Sequence, residues 1–192
     1  LYKDCLALDS IKKSDKIISL AKALAMQIGN QISYSGIGQI VGLDSKTTEK
    51  YINILEQCFI VFRLGSYAKN MRNELKNSKK IYFWDLGIRN AIIGNFTPIE
   101  SRTDRGEMWE NFAIAEGLKN KNYHTSFASH YFWRTKDQSE IDYIEEEDGE
   151  IKAFEFKWNA KKANAKMPLK ISTHLSLYSQ YAFKTTSVSE RP

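Results

Sequence analysis

The stretch of sequence that decides the fold of the second half lies at residues 139–158 and reads SEIDYIEEEDGEIKAFEFKW. Apolar and charged residues alternate on both sides of Asp148-Gly149, a pattern typical of two antiparallel strands joined by a two-residue turn. A turn of that length fixes which residues face each other, and counting outward from it places Asp142 opposite Glu155. The stretch therefore predicts a β-hairpin whose alignment is set by its turn.

The two faces of this hairpin differ in composition, because side chains alternate between the faces of a strand. One face is predicted to carry the charged residues Glu140, Asp142, Glu155 and Lys157. The opposite face is predicted to be the core face, with Ile141, Tyr143, Phe154 and Phe156.

The pairing of Asp142 with Glu155 sets two carboxylates side by side, with Cβ atoms ~4.5–5.5 Å apart, which is destabilising unless a cation offsets it. One candidate is Lys157, two residues beyond Glu155 on the same face, and the other is a hard divalent cation. Mg²⁺ held by one or two carboxylates is an arrangement that acts on phosphates, so the cluster predicts metal-assisted phosphodiester hydrolysis. The alternative is a solvated surface hairpin whose ion pairs contribute little.

The composition is that of a globular protein with a mild positive bias. The 192 residues are 42% hydrophobic, enough for a core and too many for a disordered tail. Lys and Arg number 28 against 23 Asp and Glu, and the excess falls within residues 1–85, which permits an anionic partner there. Cys5 and Cys58 show no metal-ligand spacing, so neither a disulfide framework nor a zinc site is predicted.

The apolar runs and the start of the chain bear on its location. No run approaches the ~18 apolar residues of a membrane span and no signal peptide opens the chain, so a cytoplasmic protein without a membrane partner is predicted. The chain starts at Leu1 rather than Met, which indicates a piece of a longer protein.

The first half, residues 1–95, is predicted to form a winged helix-turn-helix domain. Apolar residues recur at helical spacing over residues 17–28, a helix pair follows around Gly42-Leu43-Asp44, and Asp44 is placed to cap the second member. Strands are predicted at residues 58–64 and 80–84, with the polar stretch between them as the wing.

Four lysines of this domain are the predicted nucleic-acid contacts. Lys46 and Lys50 lie on the solvent side of the second helix, and Lys79 and Lys80 lie at the end of the wing, where lysines reach phosphates. The wing also carries Lys69, Arg72 and Lys76. Lys and Glu in alternation are equally typical of a solvated face, and winged helices also dock proteins. The pattern therefore does not decide between a DNA-binding surface and an ordinary solvated or protein-docking one.

Residues 96–192 are predicted to form an α/β domain. A helix is predicted over residues 106–120, with an apolar face of Trp109, Phe112 and Ala113. Strands are predicted at residues 130–134, 140–145, 151–158 and 181–188. The helix carries Glu110 and Glu116, either of which could supply a third acid to the site.

Helical Glu110, then Asp142, then Glu155-Phe156-Lys157 at the end of a hydrophobic strand resemble the PD-(D/E)xK nuclease pattern, in which acids and a lysine surround Mg²⁺. More widely, the chain resembles the C-terminal region of bacterial and archaeal AAA-type P-loop ATPases, a region often described as a domain of unknown function. The matching stretches are residues 43–48 (LDSKTT), 80–87 (KIYFWDLG), 106–112 (GEMWENF), 131–136 (YFWRTK), 139–142 (SEID) and 155–157 (EFK).

This resemblance implies a restriction-endonuclease-like α/β domain after the winged helix. It further implies that Asp142 and Glu155 ligate Mg²⁺, and that Glu110, preferred to Glu116 on motif position, completes or orients the ligand shell. Lys157 would position the attacking water and stabilise the charge of the phosphorane. No proline precedes the first acid, a departure that removes no ligand. The sequence contains no GxxxxGK[ST], so an ATP-binding domain would have to precede this region in the full-length chain and be its partner.

The resemblance therefore predicts a DNA-binding fragment of an AAA-type ATPase that hydrolyses phosphodiesters with Mg²⁺. One alternative is an inactive module that binds DNA or protein. Another is a structural lid or oligomerisation domain with affinity for neither metal nor nucleic acid.

Overall fold

The computed structural model describes residues 14–67, 79–123, 127–134, 140–158, 175–178 and 186–187. These residues fall into two compact units, one of residues 14–63 with 79–102, the other of residues 64–67 with those from 103 onward. Over the described part the fold is mixed α/β, with five α-helices and a six-stranded mixed sheet. The α/β class expected from the sequence is confirmed, whereas the domain boundary after residue 95 stays a prediction.

The first unit contains four helices. These are α1 (Ser14–Met26), α2 (Tyr34–Val41), α3 (Ser45–Gln57) and α4 (Leu86–Ile93). The Asp44 carboxylate accepts a hydrogen bond from the Thr47 amide at 2.9 Å, so the cap predicted for α3 is confirmed. Gly42 ends α2 in the left-handed conformation, which starts the turn into α3.

Three short strands accompany these helices: β1 (Gln31–Ile32), β2 (Val61–Ser66) and β3 (Lys79–Phe83). β1 pairs antiparallel with β3, and β3 is the neighbour of β2 in strand order. β2 and β3 match the two strands predicted around the polar stretch. Most of that stretch, with Lys69, Arg72 and Lys76, lies outside the described residues.

The core of the first unit is formed by the apolar positions that the sequence pattern selects. All are buried in one cluster: Ile17, Leu20, Ala21, Leu24 and Ile28 of the first pattern and Tyr51, Ile52 and Leu55 of α3. Helical periodicity therefore identified core positions of this unit correctly.

Gly38 in α2 lies where no side chain fits. A Cβ placed there would be 2.4 Å from Thr48 Oγ1 and 2.7 Å from the Leu43 carbonyl oxygen. Because the backbone oxygen cannot move without shifting the turn, we expect Gly38→Ala to lower the free energy of unfolding by about 2 kcal/mol.

Urea unfolding measures this effect, and Gly117→Ala is the matched control. A Cβ at Gly117, in a helix of the second unit, would meet nothing within 4 Å. That substitution should raise stability by about 0.5–1 kcal/mol, because alanine is the better helix former. A Gly38→Ala protein as stable as wild type would contradict the close packing of α2 on the turn.

Cys58, directly after α3, is disulfide-bonded, which corrects the expectation from the sequence. The other cysteine of the chain, Cys5, lies outside the described residues.

The second unit combines one long helix with the sheet. Its helix is α5 (Arg105–Tyr123), and its strands are β4 (Ser129–Arg134), β5 (Glu140–Glu147), β6 (Glu150–Phe154), β7 (Leu175–Tyr178) and β8 (Thr186–Ser187). From β2 onward the strand order is β2-β4-β5-β6-β7-β8. The β2–β4 and β6–β7 pairs are parallel and the others antiparallel. Of the strand predicted at 181–188, only β8 lies among the described residues.

The central hairpin has the predicted alignment. Tyr143 pairs with Phe154 and Glu147 with Glu150, and the pairs between them keep the same register. Asp148 and Gly149 form the turn with φ values of 51° and 81°, both in the left-handed region that a two-residue hairpin turn requires. Counting from the turn therefore gave the correct register.

The charged face of β5 is covered, since Asp142 is only 7% exposed and Ile144 on the same face is fully buried, which argues against the alternative of a solvated surface hairpin. The apolar face predicted for α5 was wrong in part. The buried residues of α5 include Met108, Asn111 and Ile114, whereas Phe112 is 48% exposed. Helical periodicity shows which residues share a face of α5. It does not show which of those faces packs against the rest of the unit.

No helix among the described residues is both long and apolar enough to cross a membrane.

Candidate active site

The hairpin end remote from the turn brings the predicted acids together. Asp142 lies near the start of β5, and Glu155 follows directly after β6. The Phe156 amide donates a hydrogen bond to Asp142 Oδ2 at 2.8 Å, which holds the two segments in the predicted alignment past the last ladder pair. The sequence prediction that Asp142 and Glu155 are neighbours thus agrees with the geometry.

Lys157 is the cation of this cluster. Its ammonium forms an ion pair with the Glu155 carboxylate and lies 3.9 Å from Asp142 Oδ2. Burial works to lower the pKa of Lys157, but the carboxylates of Asp142, Glu155 and Glu110 outweigh it and raise that pKa. The side chain is therefore firmly protonated at neutral pH.

Asp142 has the most strongly shifted pKa of the site. Burial, together with the negative charges of Glu110 and Glu155, raises the pKa of Asp142 to about 7. The Lys157 ammonium and the Phe156 amide oppose this shift without cancelling it. Among the described residues, three carboxylates therefore act on one another and on Lys157, and strongly shifted carboxyl groups of this kind are found most often at functional sites.

The third acid comes from α5. Glu110 acts electrostatically on both Asp142 and Lys157. Glu116, the alternative considered from the sequence, forms an exposed ion pair with Lys119 at 2.6 Å instead. The start of α5 also meets the segment after β6 directly, because the Trp109 and Trp158 rings make an edge contact with centroids 6.3 Å apart. The geometry therefore favours Glu110 over Glu116.

The donor chemistry of this cluster fits Mg²⁺. Among the described residues no group of three or more histidine, cysteine, aspartate or glutamate side chains is placed to hold a metal ion. Mg²⁺, however, needs only one or two carboxylates and keeps its remaining positions for water and phosphate oxygens. Asp142 and Glu155 supply such a pair, and the negative charges of Glu110 and Glu155 add to the effect of burial in raising the pKa of Asp142.

The four predicted nucleic-acid lysines differ in exposure. Lys46 and Lys50 are exposed on α3, and Lys79 is half-buried at the start of β3. Lys80 is only 2% exposed, so its assignment as a phosphate contact was wrong. Side chains alternate along β3, so two consecutive lysines cannot both face solvent on the same side of a covered strand.

A buried polar network in the same sheet escaped the sequence analysis. Tyr143 Oη and His130 Nδ1 are hydrogen-bonded at 2.7 Å, and Lys121 pairs with buried Glu145 at 3.1 Å. Burial lowers the pKa of His130 and raises that of Tyr143. Glu145 lies opposite His130 in the sheet, and that pairing would have indicated the network. The pairing follows from the β4–β5 register, which the sequence does not set.

Comparisons with known proteins find families without an assigned activity. Residues 1–98 match the family model described as Domain of unknown function (DUF8612), and residues 105–187 match Domain of unknown function (DUF4143). The chain is similar to Uncharacterized protein Rv2008c of Mycobacterium tuberculosis and Uncharacterized protein Mb2031c of Mycobacterium bovis. Each is 25% identical over 138 residues, which is 70% of this chain and 30% of the relative. No solved structure matches the chain significantly.

Proposed function

The chain belongs to the family described as Domain of unknown function (DUF8612), and we propose that it binds DNA and hydrolyses phosphodiester bonds with Mg²⁺ at the Asp142–Glu155–Lys157 cluster. The observation that carries the proposal is the buried Asp142 carboxyl, whose pKa is raised to about 7 beside Glu155 and an electrostatically coupled Glu110. A protein gains no stability from such crowding, so a ligand that needs the negative charge is its best explanation.

Each residue has a distinct part in the proposed reaction. Asp142 and Glu155 would hold the ion, and Glu110 would complete or orient its shell. A bound Mg²⁺ supplies Lewis-acid stabilisation of phosphate charge and a more acidic water. The Lys157 ammonium positions the attacking water and stabilises the added negative charge as the water oxygen bonds to phosphorus and the bond to the leaving oxygen breaks.

A cleavage assay tests the proposal directly. Plasmid and branched DNA are incubated with the protein in Mg²⁺, in Mn²⁺ and in EDTA. We expect strand breaks in either metal and none in EDTA. Intact DNA under all three conditions would contradict the enzymatic proposal and leave the binding module.

We further propose that the first unit is a winged helix and the second a restriction-endonuclease-like domain. In support, α2, the turn at residues 42–44 and α3 are followed by the neighbouring strands β2 and β3, and the acids lie on a mixed sheet beside α5. The chain covers 30% of the length of the relatives it matches. This partial coverage supports placing the chain within a larger protein. We propose that the larger protein is an AAA-type ATPase whose P-loop domain lies outside this sequence.

The exposed lysines of α3 give the winged helix its own test. We expect Lys46→Glu with Lys50→Glu to weaken duplex DNA binding and to reduce the slope of log affinity against log salt by about 0.9 for each lost phosphate contact. Lys119→Glu, an exposed lysine of the second unit, is the control. A salt slope that does not change in the double variant would remove α3 from the DNA interface.

A further inference from the structure

Three aromatic side chains of the second unit form one cluster. The Trp109 and Phe112 rings are stacked with centroids 5.9 Å apart, and Trp158 meets Trp109 edge to face. We call these three residues the aromatic cluster. It joins α5 to the segment after β6 within the second unit.

The cluster is not explained by burial. Phe112 is 48% exposed and Trp158 is 42% exposed, and neither belongs to the hydrophobic core of the sheet. The buried face of α5 is formed by Met108, Asn111 and Ile114 instead. Single exposed aromatic residues are ordinary, but adjoining exposed rings form a larger apolar patch, which is a feature of interaction sites.

Sequence and geometry tie the cluster to the charged site. Trp158 directly follows Lys157, and Glu110 lies between Trp109 and Phe112 on α5. The Trp109–Trp158 contact brings the start of α5 to the segment that carries Lys157, and the Lys157 side chain is 34% exposed. The aromatic cluster is therefore built from the same two segments that carry Glu110 and Lys157.

We propose that the aromatic cluster is a stacking platform for an unpaired base of single-stranded DNA, next to the phosphodiester held at the Asp142–Glu155–Lys157 site. This inference rests on the proposed function and names its substrate class. Every base has a π-face that stacks on aromatic rings whatever its sequence, and the neighbouring ammonium matches the phosphate. A base in a duplex is already stacked on its neighbours and cannot occupy such a platform.

Binding measured in EDTA separates this inference from cleavage. Fluorescence anisotropy is recorded for oligo(dT), for an oligonucleotide of equal length with abasic sugars, and for a blunt duplex. The variants are Trp158→Ala and Trp158→Phe, and the control is Phe127→Ala, which removes an 89% exposed phenylalanine of the same unit that lies outside the cluster. Thermal unfolding confirms that each variant is folded.

We expect Trp158→Ala to weaken oligo(dT) binding roughly tenfold, while the abasic and duplex affinities change by less than about twofold. Trp158→Phe should restore most of the loss, because it keeps a ring that stacks, and Phe127→Ala should match wild type. Wild-type protein that binds oligo(dT) no better than the abasic probe, or that does not bind it at all, overturns the inference. So does an equal loss on both probes in Trp158→Ala. The proposed function fails instead if Mg²⁺-dependent cleavage is absent while the preference for unpaired bases holds.

Discussion

Asp142→Asn is expected to abolish Mg²⁺-dependent cleavage and, in the metal-free protein, to increase stability at pH 8. Loss of a metal ligand removes several kcal/mol of transition-state stabilisation, which lowers the cleavage rate by roughly 10³-fold. Asparagine keeps an oxygen that can accept the hydrogen bond from the Phe156 amide, so the hairpin contact survives. A gain in stability with a loss of activity at one residue marks a functional carboxylate.

The stability gain depends on pH in a defined direction. The pKa of Asp142 is raised to about 7, whereas in the unfolded chain it takes its ordinary value of 3.8. Between these values the folded state holds the extra proton, so wild-type stability falls as pH rises through this window and levels off above it. We expect the advantage of Asp142→Asn to grow by about 2–3 kcal/mol between pH 5 and pH 8, measured by urea unfolding in EDTA.

Glu145→Gln is the matched control for this prediction. Glu145 is as buried as Asp142 and lies on the same strand, but its partner is Lys121 at the far end of α5. We expect that substitution to lower stability modestly, because Lys121 loses its ion pair, and to leave cleavage unchanged. An Asp142→Asn protein less stable than wild type at pH 8 would mean that the carboxylate is a structural ion-pair partner.

Lys157→Met is expected to reduce both cleavage and stability. Without the ammonium, no side chain in the cluster stabilises the added charge on phosphate, and the rate should fall by about 10²–10³-fold. The Asp142 and Glu155 carboxylates also lose their shared cation. Since the lysine is one-third exposed, we expect a stability loss of only about 1–2 kcal/mol at pH 8, and less at pH 5, where Asp142 is protonated.

Lys119→Met provides the comparison for this variant. Lys119 pairs with Glu116 on α5 and has a similar exposure to Lys157, but its partner is an exposed carboxylate outside the cluster. Its removal should cost at most about 0.5 kcal/mol and leave cleavage intact. Equal cleavage rates in wild type and Lys157→Met would exclude the lysine from the reaction.

The sequence predicted the hairpin because its information is local. A two-residue turn at Asp148-Gly149 determines every pair up to Tyr143 with Phe154, and the Phe156 amide bonded to Asp142 continues the alignment, so the meeting of the two acids needed no knowledge of the rest of the fold. Helix caps and apolar spacing are equally local, and the Asp44 cap and the core of the first unit followed from them.

The features that the sequence did not predict depend on packing between distant segments. Burial of Asp142 requires a cover on the second face of β5, and the exposure of Phe112 depends on which side of α5 meets the sheet. The burial of Lys80 has the same origin. The raised pKa of Asp142 is the most informative feature of the site, and its largest cause is a burial that the alternating pattern does not reveal.

Calorimetric titration of Mg²⁺ and Mn²⁺ at pH 8 tests most directly whether the carboxylate cluster is a cation site. The wild-type protein should give a saturable heat of metal binding. Asp142→Ala should give none, and Glu145→Gln should bind metal as wild type does. A wild-type protein that binds neither ion, or an Asp142→Ala protein that binds them unchanged, would contradict the account.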